Sequence, residues 1–141
     1  MNKIIEALQL ASKKYDATTY AHAMRVAGYV AEQDAIFTGD LDTAVTLAIL
    51  HDIIEDTDIT MDAIKDCFPP LISKGLALLT KEKNESYDDY CKKIRMAATE
   101  SVAGACAYRV KLADMKDHLS LKETLTDRLK EKYLAGLAEL L

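Results

Sequence analysis

Glycine and proline are scarce, with five Gly and two Pro among 141 residues. This scarcity argues against a turn-rich all-β fold and excludes collagen-like and low-complexity chains. The chain also has no apolar run close to the roughly 18 residues that span a membrane. Its first six residues, Met-Asn-Lys-Ile-Ile-Glu, carry charge where a secretory signal needs a continuous apolar segment. We therefore expect a cytoplasmic protein without a membrane partner.

Positive charge is in short supply. The chain has 18 Lys and Arg against 23 Asp and Glu, a formal net charge of −5. An acidic protein is a poor non-specific ligand for DNA, RNA or acidic membranes, so nucleic acid is not an expected partner. Half of the residues are hydrophobic and 29% are charged, as in ordinary globular proteins. The length predicts a single domain over residues 1–141.

Cysteine is present only as Cys67, Cys91 and Cys106. The number is odd, and no pair has the short spacing of a zinc knuckle or a redox motif. We interpret the three residues as reduced thiols that pack as small apolar side chains.

Apolar residues recur throughout at helical spacing, and no segment alternates with the period of a strand. The pattern predicts an all-α domain of about seven or eight helices. The predicted helices cover residues 4–15, 18–33, 43–54, 60–68, 70–79, 86–98, 101–120 and 125–140. The predicted N-terminal caps are Asp42, Thr60, Ser86 with Asp89, and Thr124 with Asp127.

The segment 48–57 stands out because a strongly apolar helix ends in four ionisable residues, His51, Asp52, Glu55 and Asp56. Burial of such groups is costly unless they are paired or bind a cation. Three neighbouring carboxylates repel one another, and a divalent cation relieves that repulsion. A solvated helix end beside a counter-charge explains this segment equally well.

Two further segments add potential metal ligands. His22 precedes the inward face of an amphipathic helix, and Asp114 directly follows two apolar residues. Each residue alone is more typical of a structural role, as a satisfied histidine or as a cap or salt-bridge partner. Together with His51 and Asp52 they form a mixed nitrogen and oxygen set. Such a set suits Mn²⁺, Fe²⁺, Co²⁺ or Zn²⁺ better than Ca²⁺ or Mg²⁺.

The order and spacing of these residues resemble the HD superfamily of metal-dependent phosphohydrolases. The extension His-Asp-x-x-Glu-Asp-Thr at 51–57 is similar to the hydrolase domain of the RelA/SpoT type and its small stand-alone relatives. Those enzymes remove the 3′-pyrophosphate from ppGpp and pppGpp. The likeness covers roughly residues 18–136. It also includes Asp58-Ile-Thr60, Ile64, Phe68, Leu79-Thr-Lys81, the segment 86–90 and Val110-Lys-Leu-Ala-Asp114.

The resemblance implies an HD-type helical domain with a divalent metal, usually Mn²⁺. The implied metal ligands are His22, His51, Asp52 and Asp114. It assigns Glu55 and Asp56 to catalysis, where they position or deprotonate the attacking water. This is coherent chemistry, because a metal both neutralises phosphate oxygens and lowers the pKa of water, and a nearby carboxylate is a suitable general base.

The chain departs from the alarmone hydrolases at two places. The family has an Arg-Lys pair in a Gly/Pro-containing loop before the first histidine, where this chain has Lys13 and Lys14 in a shorter segment. We interpret these lysines as a solvated helix end. The family usually has a nucleotide-binding asparagine four residues after the last metal ligand, and this chain has His118 there. An imidazole can stack or hydrogen-bond at that position, and the alternative is an ordinary surface residue.

A polyanionic substrate needs local positive charge, since the net charge of the protein repels it. The candidate substrate-binding residues are Arg25, Lys81, Lys83, Tyr87, Lys111 and His118. The alternative for the lysines is a solvated side chain, and Tyr87 and Tyr90, three residues apart, are more typical of helix packing.

The sequence therefore predicts a metal-dependent phosphohydrolase acting on a small nucleotide, first of all ppGpp or pppGpp. Two alternatives stay open: an HD-type phosphatase for nucleoside monophosphates or NADPH, and a non-catalytic metal- or nucleotide-binding module. Glu55 and Asp56 favour an enzyme, because a pure binding site gains little from two further carboxylates. A homo-oligomer is compatible with the sequence.

Overall fold

Helices make up all of the regular secondary structure in residues 3–32 and 40–141, the part of the chain that the computed structural model describes. That part contains nine helical segments, of which α4 is a single turn, so the predicted all-α architecture is confirmed. The segments are α1 Ile4–Lys14, α2 Ala17–Glu32, α3 Leu41–Leu50, α4 Ile53–Asp56, α5 Met61–Cys67, α6 Pro70–Leu79, α7 Tyr87–Ala97, α8 Val102–Ser120 and α9 Asp127–Leu140. Gln33, the predicted end of the second helix, lies outside the described residues.

Three helices begin where the sequence predicts, because the expected residues occupy their N-terminal positions. The Thr60 hydroxyl accepts a hydrogen bond from the backbone N–H of Ala63 at 3.2 Å, and the Ser86 hydroxyl accepts one from Asp89 at 3.0 Å. Pro70 occupies the first turn of α6, where its missing N–H costs nothing.

Two predicted caps are wrong. Asp40 rather than Asp42 caps α3, because the Asp40 carboxylate accepts hydrogen bonds from both the backbone N–H and the hydroxyl of Thr43. Thr126 rather than Thr124 caps α9, and its hydroxyl accepts from the backbone N–H three residues further on. In both cases two candidate caps lie two residues apart, and the competition is decided by bonds that spacing alone does not specify.

The predicted helix over residues 43–54 is also interrupted. Helix α3 ends at Leu50, His51 and Asp52 form a turn, and α4 begins at Ile53. Asp52 has φ −101° and ψ 4°, outside the helical region. The apolar Ile53 and Ile54 extend the hydrophobic pattern past this break, which is why periodicity predicts a longer helix.

Helices α3 and α8 form the centre of the bundle. Helix α3 packs against α1, α2, α6 and α8, while α8 packs against α2, α3, α6, α7 and α9. Their buried apolar side chains are Ala44, Leu47, Ala48, Ile49, Leu50, Ala103, Cys106, Ala107, Val110, Ala113 and Met115. Many of these side chains are small, so the two helices approach closely. The C-terminal end of α3 and the second half of α8 therefore meet in the interior.

Helix α9 closes one side of this interior through a close approach at Gly136. A Cβ atom at this position would lie 2.6 Å from the Tyr87 ring and 2.9 Å from the Met115 Cε. A larger residue at this position would require the side chains of α7 and α8 to shift. That contact brings Lys132 and Tyr133, one turn earlier on α9, against the site described below.

All three cysteines are free thiols, with Cys91 and Cys106 buried and Cys67 exposed. Across the described residues, no helix has both the length and the apolar character that crossing a membrane requires.

Candidate metal centre

Four side chains from three parts of the fold converge at the end of α3. They are His22 of α2, His51 and Asp52 of the turn after α3, and Asp114 of α8. His22 Nε2 lies 2.8 Å from Asp114 Oδ1 and 3.8 Å from Asp52 Oδ2. His51 Nε2 lies 3.2 Å from His22 Nε2, from Asp52 Oδ2 and from Asp114 Oδ1. Successive side chains of an ideal helix point about 100° apart, and here the backbone departs from ideal helical dihedrals at Asp52.

Hydrogen bonds on the far side of each ring determine which nitrogens face the centre. His51 Nδ1–H donates to the Ala48 carbonyl at 2.7 Å, and His22 Nδ1–H donates to Asp117 Oδ2 at 2.6 Å. In the neutral rings both Nε2 lone pairs then face each other and the carboxylate oxygens of Asp52 and Asp114. Electron pairs arranged in this way repel one another unless protons or a cation lie among them. The donor set fits a divalent transition-metal ion, for which imidazoles oriented by such outer bonds are typical ligands.

Asp117 is a site residue that the sequence analysis missed. Its side chain is 1% exposed, and besides His22 it accepts bonds from Arg25 Nε at 2.7 Å and Arg25 Nη2 at 3.0 Å. Arg25, predicted to bind substrate, thus also supports the carboxylate that orients His22. The signal was available, because Asp117 lies three residues after Asp114 and therefore shares its helix face.

Lys111 also contacts the centre. Its Nζ lies 2.9 Å from Asp114 Oδ2, and 5.1 and 4.9 Å from the ring centroids of Tyr87 and Tyr90. Burial lowers the pKa of Lys111, but the Asp114 charge and the two phenol groups outweigh it and keep the pKa well above its usual value. The ammonium group therefore stays charged although it is buried.

Opposite charges set the pKa values of the ligands. Burial raises the pKa of Asp114, but the Lys111 charge and the three histidine contacts hold it well below its usual value. Burial lowers the pKa of His22 and His51, and the carboxylates outweigh that effect, so both pKa values are raised. In the absence of a metal, protons therefore take the place of a cation between these groups.

The sequence profile of the HD domain matches residues 19–131. The chain belongs to the HD-domain family. HD domains bind divalent metals and act in general as metal-dependent phosphohydrolases, so the coarse prediction from the sequence is confirmed. A search of the curated proteins finds no match. We call the set of His22, His51, Asp52 and Asp114 the HD centre.

Metal affinity of the HD centre is expected to rise with pH. A proton on His22 or His51 must leave before its Nε2 can bind a metal, and both pKa values are raised. Below those pKa values each displaced proton contributes about tenfold in affinity per pH unit, up to about 100-fold for both rings. Calorimetric titration with Mn²⁺ between pH 5.5 and 8.5, in two buffers of different ionisation enthalpy, measures both the affinity and the protons released.

The stability of the metal-free protein should change in the opposite direction. A raised histidine pKa contributes stability that is complete below the unfolded value of about 6.5 and is lost as pH rises through the folded value. Chelator-treated protein is thus expected to melt at a lower temperature at pH 9 than at pH 6, and added metal should remove the difference.

Metal affinity that stays constant with pH, with no protons released, would contradict the assignment of both rings as ligands.

Two cavities flank the HD centre, and they differ in chemistry. The lysine cavity, about 170 Å³, is lined by Glu55, Lys81, Lys111, Lys132 and Tyr87 among others. The leucine cavity, about 350 Å³, is lined by Arg25, Asp56, Leu121, Leu125 and Leu129 among others. Asp52, His118 and Tyr133 line both cavities. The HD centre is therefore open to a polar, cationic space on one side and to a mainly apolar space on the other.

The two predicted catalytic carboxylates line different cavities. Glu55 lines the lysine cavity and accepts a hydrogen bond from the backbone N–H of Lys81 at 3.1 Å, while Asp56 lines the leucine cavity. Partial burial of the Glu55 carboxylate raises its pKa, and the charge of Asp52 raises it further. The hydrogen bond from the Lys81 N–H lowers the pKa of Glu55 but does not outweigh these two effects, so the net shift is upward. Burial and the Asp52 charge likewise raise the pKa of Asp56. A raised pKa makes each carboxylate a better proton acceptor near neutral pH.

Of three further predicted substrate-binding residues, Lys81 and Tyr87 line the lysine cavity, whereas Lys83 does not. Lys81 lies two residues after the end of α6 and lines the lysine cavity, and its Nζ donates to the Glu82 carbonyl at 3.0 Å. Tyr87 lines the same cavity and donates from its hydroxyl to Met115 Sδ at 3.3 Å. Lys83 is exposed and lines neither cavity, because it lies two residues further into the solvated turn before α7. The expectation for Lys83 is therefore not supported by its position.

Lys13 and Lys14 also lie away from both cavities. Each is exposed at the end of α1, and Lys14 Nζ pairs with Asp58 Oδ1 at 3.0 Å. This position agrees with the interpretation of a solvated helix end.

Helix α9 supplies two residues that sequence reasoning missed. Lys132 Nζ lies 4.6 Å from the Tyr87 ring centroid, and the Tyr133 ring stacks on His118 with centroids 4.7 Å apart and planes 12° apart. The sequence of α9 is that of an ordinary amphipathic helix. Nothing local distinguishes these two residues, since the packing at Gly136 brings them to the site.

Proposed function

We propose that this HD domain hydrolyses the 3′-pyrophosphate of ppGpp or pppGpp with the help of a divalent metal ion. The observation that carries the proposal is the shared cavity in which Glu55 and three lysines adjoin the HD centre. A binding module has no need of a carboxylate with a raised pKa at that place, whereas a hydrolase does. The likeness of residues 51–57 to the alarmone hydrolases supports the choice of substrate.

His22, His51, Asp52 and Asp114 hold the ion in this proposal, and Mn²⁺ is the ion that the resemblance suggests. When bound, a divalent ion supplies a Lewis acid that neutralises phosphate oxygens and lowers the pKa of water. Glu55 accepts the proton of the attacking water as its oxygen forms a bond to phosphorus. The bond between phosphorus and the ribose 3′ oxygen breaks, and the proton passes to that 3′ oxygen. Pyrophosphate and a guanosine nucleotide are the products.

The two cavities fit the two ends of such a substrate. Lys81, Lys111 and Lys132 provide local positive charge for a pyrophosphate, which an acidic protein would otherwise repel. The leucine cavity offers Leu121, Leu125 and the Tyr133 ring to an apolar or aromatic group such as a purine. The HD centre, which both cavities flank, then lies next to the bond that is cleaved.

A second candidate is a phosphatase for another nucleotide, such as NADPH or a nucleoside monophosphate. Two observations favour it. Lys13 and Lys14, the nearest counterparts of the family's basic pair, line neither cavity, and His118 contacts Asp114 at 3.2 Å where the alarmone hydrolases have asparagine. Both differences concern substrate recognition and leave the HD centre unchanged.

Product release from a panel of substrates tests the proposal. With Mn²⁺ we expect pyrophosphate from ppGpp and pppGpp, no phosphate from NADPH or nucleoside monophosphates, and no turnover after chelation. Phosphate from the latter group alone would support the second candidate. Tight nucleotide binding without turnover would instead indicate a non-catalytic module.

A matched pair of lysine variants tests the binding mode. K132M should raise KM for ppGpp by about tenfold, since one charge-assisted phosphate contact contributes roughly 1.5 kcal/mol. K130M removes an exposed lysine of the same helix and should leave KM unchanged. Equal KM values in K132M and the parent protein would exclude Lys132 from the phosphate site.

A further inference from the structure

His118 lies beside the HD centre. It follows Asp114 by four residues on α8, so the two side chains share one face of the helix. His118 Nε2 lies 3.2 Å from Asp114 Oδ1, the same oxygen that lies 2.8 Å from His22 Nε2 and 3.2 Å from His51 Nε2. All three histidines of the chain thus direct an Nε2 atom at one carboxylate oxygen.

Ring contacts hold the His118 imidazole in this orientation. One contact is the parallel stacking on Tyr133, and the other is with the His22 ring at 4.6 Å between centroids and 34° between planes. The His118 side chain is 32% exposed and lines both cavities. It is therefore fixed in place without being enclosed in the core.

The ligand atoms fall into two overlapping groups. Those of His22, Asp114 and His118 all lie within 4.8 Å of one another, and so do those of His22, His51 and Asp52. His22 belongs to both groups, but its Nδ1–H is bonded to Asp117, which leaves only Nε2 for a metal. One nitrogen lone pair binds one ion, so the two groups describe a single centre.

We propose that His118 is a fifth protein ligand of the metal in this chain, an inference that rests on the HD centre of the proposed function. The complete set is then three imidazoles and two carboxylates. Imidazole suits Fe²⁺, Ni²⁺ and Zn²⁺, whereas carboxylate suits Mn²⁺, and Co²⁺ lies between Fe²⁺ and Ni²⁺ in the Irving–Williams order of affinity. The third imidazole therefore raises the preference for Co²⁺ over Mn²⁺ above that of a four-ligand centre. It also changes the role of the position that holds a nucleotide-binding asparagine in the alarmone hydrolases.

Substrate-free metal titrations of H118N and H118F test this inference. H118F keeps a ring on Tyr133 but has no nitrogen ligand, and H118N installs the residue of the alarmone hydrolases. We expect the Kd for Co²⁺ to rise by about tenfold or more in both variants, because even outer-shell partners of metal ligands contribute 10- to 100-fold. The Kd for Mn²⁺ should rise less, and the visible absorption band of bound Co²⁺ should change in position and intensity. K130M, on α9, is the control for the titration.

An unchanged Co²⁺ absorption band in both variants would overturn the inference even if the affinity falls, because the loss of an outer-shell partner lowers affinity without changing the ligand set. A raised KM alone would make His118 a substrate contact. Circular dichroism of each variant verifies that the helices are intact, and the two different replacements guard against a packing defect in either one. The outcome is separate from that of the substrate panel. If the parent protein hydrolyses none of the nucleotides, but replacement of His118 both lowers the Co²⁺ affinity and changes the absorption band of bound Co²⁺, the fifth ligand stands and the proposed function fails.

Discussion

Replacement of Glu55 by glutamine should lower kcat by about 10²- to 10⁴-fold, the usual contribution of a general base. The amide oxygen of glutamine can still accept the hydrogen bond from the backbone N–H of Lys81, so the turn before α7 keeps its anchor. What the variant loses is the ability to accept a proton. The parent Glu55 is suited to that task because burial and the Asp52 charge raise its pKa.

The measurement is kcat for ppGpp together with a Mn²⁺ titration of the same variant. Metal affinity is expected to stay within a factor of about three, since Glu55 is not among the predicted ligands. E82Q removes the same charge from an exposed glutamate in the neighbouring turn and should leave both quantities unchanged. A kcat close to that of the parent protein would refute the role of Glu55, and a large loss of metal affinity would assign it to the HD centre instead.

Part of the candidate metal centre has a local signal in the sequence. His51 and Asp52 end a helix that is apolar on nearly every side, and charged groups in that context need partners wherever the rest of the chain goes. Asp114 carries the same kind of signal, because it directly follows apolar residues of α8. Residue type and context thus single out these groups as unusual, whereas the resemblance to the HD superfamily is what predicts them as a ligand set.

The cavities could not be predicted in this way. Lys132 and Tyr133 reach the site through the packing of α9 at Gly136 against Tyr87 and Met115, which lie about 50 and about 20 residues earlier in the chain. Lys83 has the same charge as Lys81 and lies two residues away, yet the end of α6 directs only Lys81 to the cavity. Side chains on loops and surface helices depend on tertiary packing, which spacing does not encode.

The sequence predicts some helix ends correctly and others not. A cap such as Ser86 has no nearby competitor and was identified correctly. Asp40 and Asp42 compete for α3, and the hydroxyl of Thr43 decides between them. The break at His51 and Asp52 departs from helical periodicity, and both residues belong to the HD centre.

Replacement of Asp114 by asparagine should both abolish metal binding and destabilise the protein by about 3–5 kcal/mol, the usual result of leaving one partner of a buried ion pair alone. Asp114 is 4% exposed and Lys111 is 6% exposed, so little water can solvate the ammonium group once its partner has gone. The pKa of Asp114 is well below its usual value, so the parent carboxylate is ionised at neutral pH and the full charge is removed.

A double-mutant cycle separates the two effects. K111M removes the ammonium group, whereas Asp114 keeps its three histidine partners, so we expect a smaller loss of stability than in D114N. The double variant D114N/K111M should be more stable than D114N, because no unpaired buried charge remains, yet it should still bind no Co²⁺. Urea unfolding in the presence of a chelator measures the free energies, and Co²⁺ titration measures binding. If D114N unfolds at the same urea concentration as the parent protein, the Lys111–Asp114 pair does not stabilise the metal-free fold. If D114N also binds Co²⁺ normally, Asp114 is not a ligand.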